Sequence, residues 1–548
     1  MRLAPFVLAA LCALVLFTGL DRVGVLDERE ARDAQVAREL CQHREILTPL
    51  YGARPLYEKP TPAYALEALT YGPAGDSPLT SRRLRATLAV MLVLITGVAG
   101  ARHFGARAGL LAGGVLATMV ALPLAARGDG TQLLGSLFAW IGCEGLADVV
   151  FGRARGRDLR LVVTYAALAA ALACAGPLSA LWPLGGLALF LALARDREAW
   201  RRARPLAGLA ILLGVALPWY GPMIERHGAA FLARAPFFPY AVGPPMPGLA
   251  GAVLALPFLV VGCFPWSALL PDAMVHAATW WRSRLPLLRI GPAGPELPAA
   301  RAIERERREE GAAHFFIACL AAALVPVVLY PARPLTVVLP AAPAAALLCG
   351  RLLDHLLEDP QRLGRALTRS ALTLALAGSA AAVAFAVLAT RVSDAAPELR
   401  LLATVLLLAA WAPFLADLLR RRRLAALLMT LPVAVGMPIA ALRVLPAMED
   451  WLNARTAAHA FAAVAPPRAV LATVGPPPPS LRFYAGHDLL AVRPEPGSLR
   501  ELRAADGMTY LAFAPHRERE VARSVGVPLE ILTRTPTLVM ARIRPGPD

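Results

Sequence analysis

Lysine is almost missing from this 548-residue chain: of 56 lysines and arginines, Lys59 alone is lysine. Charge of any kind is scarce, at 17% of residues, while 57% are hydrophobic and mean hydropathy is +0.54. A single water-soluble core does not absorb that much apolar side chain, because such cores stop growing at about 250–300 residues. The same numbers exclude a disordered chain. Cysteine is sparse too: seven, with no CxxC and no Cys/His ligand spacing. Cys12, Cys143, Cys174, Cys263, Cys319 and Cys349 lie within or at the edge of apolar runs, and Cys41 lies in a loop. They read as small hydrophobes, which argues against a disulfide framework and a zinc site. No glycine-rich loop follows a strand, so no nucleotide-phosphate cradle is expected. No internal repeat is evident, which weakens an inverted-repeat transporter reading.

What is present is a series of apolar runs. A membrane span needs about 20 apolar residues. Thirteen are read, near 3–20, 83–101, 108–125, 132–150, 160–175, 177–194, 206–223, 248–270, 313–330, 334–350, 370–390, 399–418 and 424–445. The first has Arg2 ahead of it but no clear small-residue cleavage site, so it reads as a retained anchor. The net charge of +17 would suggest nucleic acid in a soluble protein. Here the arginines alternate by loop. Arg102 and Arg107, Arg153 to Arg160, Arg195 to Arg204, Arg282 to Arg308, Arg351 to Arg369 and Arg420 to Arg423 fall on one side. The short loops opposite hold Arg127, Arg226, Arg234, Arg333 and Arg391. That asymmetry predicts a cytoplasmic N-terminus and an extracytoplasmic C-terminal region, and it needs no nucleic acid.

Two outer segments exceed simple connectors. Within residues 21–82, positions 30–42 put Ala31, Ala34, Val36, Ala37 and Leu40 on one side, as an interfacial helix would. The tail, 450–548, alternates strand-like runs (469–474, 509–513, 537–543) with helix-like ones (498–504, 517–524). It reads as a small extracytoplasmic α/β domain behind a membrane unit covering 1–449.

The first outer loop is dense in ionisable groups: Asp27, Glu28, Arg29, Glu30, Arg32, Asp33, Arg38 and Glu39, then Tyr57-Glu58-Lys59-Pro60. Most of these suit a solvated amphipathic helix and a turn. A carboxylate at a membrane face also orients or deprotonates an acceptor, and a cation neutralises a phosphate leaving group. Asp129, at the outer end of the fourth span, is either a functional acid or a helix N-cap. Arg333 at the outer face has the plain alternative of a snorkelling side chain.

These residues resemble the GT-C-type glycosyltransferases that use polyprenyl-phosphate sugars, near the lipid A aminoarabinose transferases and protein O-mannosyltransferase relatives. Family members carry an Asp-Glu motif in the first outer loop, an Arg, an amphipathic helix ending near Arg-Glu-Met, and Phe-Glu-Lys-Pro. Arg32, Arg38-Glu39-Leu40 and Tyr57-Glu58-Lys59-Pro60 keep that order. Asp129 matches the family acid at the fourth span. Gly176-Pro177, Pro218-Trp219, Pro265-Trp266 and Arg333 ahead of Thr336 and Leu339-Pro340 are weaker matches. The chain departs at Arg29, which stands at the family Asp position, with Glu30 at the following Glu and Asp27 and Glu28 just upstream. Ala175 replaces a Lys, and the loop Ala235–Pro247 is short and lacks His.

The resemblance implies an all-α polytopic GT-C membrane fold and a glycosyltransferase acting by inversion on a lipid, glycan or protein acceptor. Lys59, Arg333 and Arg32 would hold the donor phosphate. Asp27, Glu30 and Asp129 would serve as catalytic acids, and Glu28, Tyr57 and Glu58 would position substrate. No cofactor follows from the sequence, and a divalent metal has no support in it. The alternative is a transporter or flippase of a lipid-linked substrate, which would favour acids buried mid-span. The span interiors here are nearly free of charge.

Overall fold

The computed structural model describes residues 3–27, 29–43, 45–151, 157–194, 197–234, 249–278, 298–329, 335–359, 361, 364–466, 469–486, 489–492, 509–526 and 528–543. Among them, nine helices are long and apolar enough to cross a membrane, or up to eleven if two bent pairs each count as one span. The chain is a multi-pass, helical membrane protein. Shorter helices occupy the first and tenth expected positions, Ala4–Cys12 running into a turn to Phe17, and Ala342–Glu358. Small residues let the helices approach closely. At Gly109, an added Cβ would lie 2.3 Å from the Gly97 carbonyl oxygen.

The bent pairs explain why two apolar runs do not make straight helices. Ala106–Ala117 and Ala121–Gly128 meet at 56°, and Ala255–Gly262 and Trp266–Ala278 at 116°. A broken helix in a membrane must satisfy its loosened backbone inside the protein. The two breaks do this for each other. Val120 N donates to the Phe264 carbonyl at 3.0 Å, and Trp266 Nε1 donates to Thr118 Oγ1 at 2.8 Å. Two of the sequence's Pro-Trp pairs therefore act as fasteners: Trp219 Nε1 likewise donates to the Leu47 carbonyl at 2.9 Å.

Helix Arg29–His43 carries the apolar side read from the sequence, but protein covers it. Ala31 and Ala34 pack with Val25 and Phe483, and Val36 and Ala37 pack on Ala63, Tyr64, Ala68 and Tyr71 of helix Pro62–Ala74. A short antiparallel hairpin, β1 (Leu50–Tyr51) and β2 (Arg54–Pro55), lies between these helices in the chain.

The tail holds a five-stranded sheet. Its strands are β3 (Val470–Val474), β4 (Leu489–Val492), β5 (Thr509–Phe513), β6 (Leu529–Arg534) and β7 (Val539–Ile543). The order is β4-β3-β5-β7-β6, parallel across β4-β3-β5 and antiparallel across β5-β7-β6. Helix Glu518–Val525 matches the expected one at 517–524. The helix expected at 498–504 lies outside the described residues. The strands β4 and β6 and helices Arg455–Ala462 and Pro479–Ala485 were not expected. β6 alternates neither apolar with polar nor buried with exposed positions, so a period-2 reading passes over it.

The first loop and the tail lie on the same side of the molecule and are bonded together. Val25 N donates to the Tyr484 hydroxyl at 2.8 Å, and Gly24 N donates to Glu449 Oε1, at the residue before the tail, at 2.9 Å. Arg38 reaches the Phe483 carbonyl at 2.6 Å.

Candidate active site

Positions 30, 33 and 37 of helix Arg29–His43 follow helical spacing, so one buried face carries Glu30, Asp33 and Ala37. Asp33 meets Lys59. The Lys59 ammonium donates to Asp33 Oδ2 at 2.6 Å and to Thr131 Oγ1 at 3.2 Å. Both members of the pair are 5% exposed. An ammonium has three N–H donors, and these two oxygens engage two of them. Burial raises the Asp33 carboxyl above its ordinary range, and the attraction of Lys59 offsets only part of that shift.

Thr131 sits in the first turn of helix Gly130–Val150, whose N-cap is Asp129. Asp129 Oδ1 accepts from Gln132 N at 3.1 Å. Its Oδ2 accepts from the Thr336 hydroxyl at 2.8 Å and faces Arg29 Nη1 at 3.5 Å. Asp129 thus caps the helix, as one of its two sequence readings expects, and also presents a 3%-exposed carboxylate next to the turn that contacts Lys59. Helix N-termini and ammonium groups each favour anions, and here the carboxylates of Asp129 and Asp33 meet them.

Glu30 is placed differently. Arg82 grips it bidentately, Nε to Oε1 at 2.8 Å and Nη2 to Oε2 at 2.7 Å. The remaining Arg82 donors reach the carbonyls of Leu20, Val23 and Gly24 at 2.7–2.9 Å. All five guanidinium N–H groups are thus used. Arg85 bonds Glu30 at 3.0 Å and Glu67 at 2.6 Å. Burial pushes the Glu67 carboxyl up, but Arg85 and the Ser81 and Tyr71 hydroxyls outweigh it and hold that carboxyl below its usual range. Glu30, Arg82 and Arg85 are each 1% exposed. This cluster locks the loop onto helix Pro78–Phe104. Removing one partner of such a buried set costs about 3–5 kcal/mol. We expect Glu30→Ala to lower the thermal unfolding midpoint in detergent sharply. A variant that keeps its midpoint but loses transfer would instead make Glu30 a chemical participant.

The other expected residues divide into four groups. Arg32 pairs with Glu58 at 2.5 Å, both partly exposed. Tyr57 packs its ring against His227 and Phe231, at 5.2 and 5.7 Å. Asp27 turns to the tail: its Oδ1 accepts from Ser480 N at 2.8 Å, and its own N–H donates to the Leu452 carbonyl at 3.0 Å. Glu28 and Arg333 lie outside the described residues. Asp33, Arg82, Arg85 and Glu67 were not among the expected site residues. The spacing of Asp33 from Glu30 was the available signal. Arg82 and Arg85 carried none, because a span-end arginine ordinarily reads as a snorkelling group.

At the opposite end of the bundle, Glu144 and Asp148 are paired with Arg102 at 3.0 Å each, and Arg160 reaches Asp148 at 3.2 Å. Paired cations hold these acids at the arginine-rich end of their helix rather than in its middle.

No protein-family model matches the chain, and no curated protein sequence does. Solved structures do. ArnT from Cupriavidus metallidurans in the apo state superimposes with a TM-score of 0.77 at 20% identity, covering 99% of each chain. The fold is that of ArnT. A second ArnT structure, bound to undecaprenyl phosphate, gives 0.78 at 20% identity, covering 98% of this chain and 97% of that one. An Archaeoglobus fulgidus oligosaccharyltransferase in complex with Zn and sulfate gives 0.50 at 11% identity, over 94% of this chain and 68% of that one. The ArnT likeness spans the membrane bundle and the tail alike. The many-helix membrane architecture expected from the resemblance is the one these ArnT structures share.

Proposed function

We propose that the protein is a membrane glycosyltransferase that moves a sugar from a polyprenyl-phosphate donor to an envelope acceptor. The observation that carries this reading is the Lys59 ammonium, buried between Asp33 and Thr131 beside the Asp129-capped helix start. A single buried ammonium at a membrane face suits a phosphate delivered on a lipid. The ArnT-like fold and the undecaprenyl phosphate held by that ArnT structure support the same choice.

In this reading the acceptor oxygen attacks the anomeric carbon from the face opposite the phosphate. The bond between that carbon and the phosphate oxygen breaks, with inversion. The bonding electrons leave with the lipid phosphate, whose growing charge Lys59 stabilises, with Arg32 and Arg333 as further cations. Asp129 orients the acceptor hydroxyl and takes its proton. Glu58, Tyr57 and Glu28 position the substrate. Glu30 and Asp27 act through the scaffold, the first by fixing the loop and the second by fixing the tail over it. Residues 1–449 form the catalytic membrane unit and 450–548 the outer-face domain. The N-terminus is cytoplasmic and the site opens away from the cytoplasm, in the plasma membrane of a cell with an envelope glycolipid or glycan.

Mass spectrometry of envelope glycolipids, glycans and glycoproteins tests this directly. Cells lacking the protein should lose one glycoform and accumulate its sugar-free acceptor. An unchanged glycan profile together with a changed membrane distribution of a lipid-linked sugar would establish a flippase in its place.

A further inference from the structure

Arg29 has no part in the mechanism above. It is the point at which the chain departs from the family pattern, a guanidinium where a carboxylate is expected. Stability does not explain it. Arg29 is the first residue of helix Arg29–His43, and a cation at a helix N-terminus opposes the helix dipole. Its ion pair with Asp129 returns little. Arg29 Nη1 lies 3.5 Å from Asp129 Oδ2, with the arginine side chain 29% exposed and the carboxylate 3%. A long pair with one member open to solvent is weak.

Arg29 and Asp33 are four residues apart and share one side of their helix. From that side Arg29 faces Asp129, and Asp33 holds Lys59, which also bonds Thr131, two residues beyond Asp129. Two cations and two carboxylates thus meet around the start of helix Gly130–Val150. Each cation rests on a carboxylate. The pair at Arg29 is the longer, 3.5 Å against 2.6 Å, and its cation is the more exposed. A phosphate offers a guanidinium two oxygens at once, the bidentate geometry that arginine favours. A phosphate arriving at Lys59 therefore takes Arg29 from Asp129 at small cost.

The exchange changes what Asp129 offers. A carboxylate oxygen has two lone pairs. On Oδ2 the Thr336 hydroxyl takes one at 2.8 Å, and Arg29 faces the other. Oδ1 is turned to the first helical turn, where it accepts from Gln132 N. An acceptor hydroxyl needs a lone pair for its proton, and while Arg29 is in place Oδ2 has none to give. We infer that Arg29 is a donor-responsive latch on Asp129. The phosphate of the lipid-linked donor draws Arg29 away, gains a second cation beside Lys59, and opens Oδ2 to the acceptor. The acceptor's proton then passes to Oδ2 as its oxygen bonds the anomeric carbon, and the phosphate leaves with the electrons of the broken bond. The latch makes donor binding precede activation of the acceptor. This rests on the reading of the protein as a glycosyltransferase with Asp129 as its base.

The test uses the full chain in nanodiscs. Arg29→Gln removes the charge and keeps a polar side chain, and its thermal midpoint should equal or exceed that of the wild type, since the cation opposes the dipole. Its affinity for bare undecaprenyl phosphate should fall about tenfold. Arg29→Lys, which keeps the charge without the fork, should recover part of that loss. Inorganic phosphate should not compete with the lipid, and competition at equal concentration would overturn a lipid-delivered ligand. A structure of the wild-type protein with undecaprenyl phosphate should show Arg29 bonded to a phosphate oxygen and withdrawn from Asp129, with the Thr336 and Gln132 bonds kept. That structure decides the matter even where Arg29→Gln folds poorly. If Arg29→Gln binds the lipid as the wild type does, or Arg29 stays on Asp129 in the complex, the latch is overturned and the glycosyltransferase reading stands. If bare undecaprenyl phosphate does not bind the wild-type protein, both fall.

Discussion

Lys59→Met should lower the rate of sugar transfer by about two to three orders of magnitude, the loss typical when a donor to a developing anion is removed. The ammonium is placed by Asp33 at 2.6 Å and Thr131 at 3.2 Å, in a pocket that leaves it 5% exposed. Arginine is not a substitute here. Its planar fork carries five donors on a larger body, whereas lysine brings a compact charge. Lys59→Arg should therefore also impair transfer by more than about tenfold, in a chain that uses arginine at its other 55 basic positions. Breaking the pair leaves Asp33 buried, which would confuse lost chemistry with lost folding. The double variant Lys59→Met/Asp33→Asn removes both charges and should fold yet fail to transfer. Transfer by the double variant at a wild-type rate would remove Lys59 from the mechanism.

Asp129→Asn should reduce kcat by about 10²–10⁴, the range for a general acid or base, with little change in the affinity for bare undecaprenyl phosphate. Asn caps a helix as well as Asp does, so the bond to Gln132 N and the start of helix Gly130–Val150 should persist. The substitution changes the charge that faces Arg29 and Thr336 and little else. Asp129→Ala, by contrast, should add a stability loss of about 1 kcal/mol for the missing cap. If Asp129→Asn transfers normally while Asp129→Ala is unstable, the residue is a cap and nothing more.

Asp33 supplies a pH test with a defined sign. Burial holds its folded-state carboxyl above the ordinary range, so the folded protein takes up a proton at a higher pH than the unfolded chain does. As pH falls from above the raised value towards the ordinary Asp range, this residue's contribution shifts in favour of the folded state. The same protonation frees Lys59 from its counter-charge. A sugar-linked lipid donor is a phosphodiester with a constant charge over this window, so its KM should fall as pH falls there. Asp33→Asn should flatten both responses. A wild-type profile equal to that of Asp33→Asn would show that the pair does not titrate.

The membrane bundle was readable in the sequence because it follows from hydropathy, a local and additive property. Each apolar run has a helix within it. Whether a run makes one straight span is not a local property. The breaks near Thr118 and Phe264 depend on one another: neither is satisfied until the other lies against it. The tail's α/β character was readable through strands with strong β residues, while β4 and β6, short or irregular in pattern, emerge only as partners of β3 and β7.

The site divides in the same way. Lys59 stands out in the sequence as the single lysine and through the Glu-Lys-Pro pattern of the family it resembles, and Asp129 as a carboxylate at a span boundary, where charge is costly. Assignment among the first-loop carboxylates was beyond a one-dimensional reading. Glu30, Asp33 and Asp27 lie within seven positions of one another, yet they meet Arg82, Lys59 and the Ser480 backbone respectively. Those partners are 52, 26 and 453 residues away. Composition and periodicity establish where charge is allowed in such a chain. Which charge faces which depends on packing between distant segments, and here that packing gave Lys59 to Asp33 and left Glu30 to hold the loop.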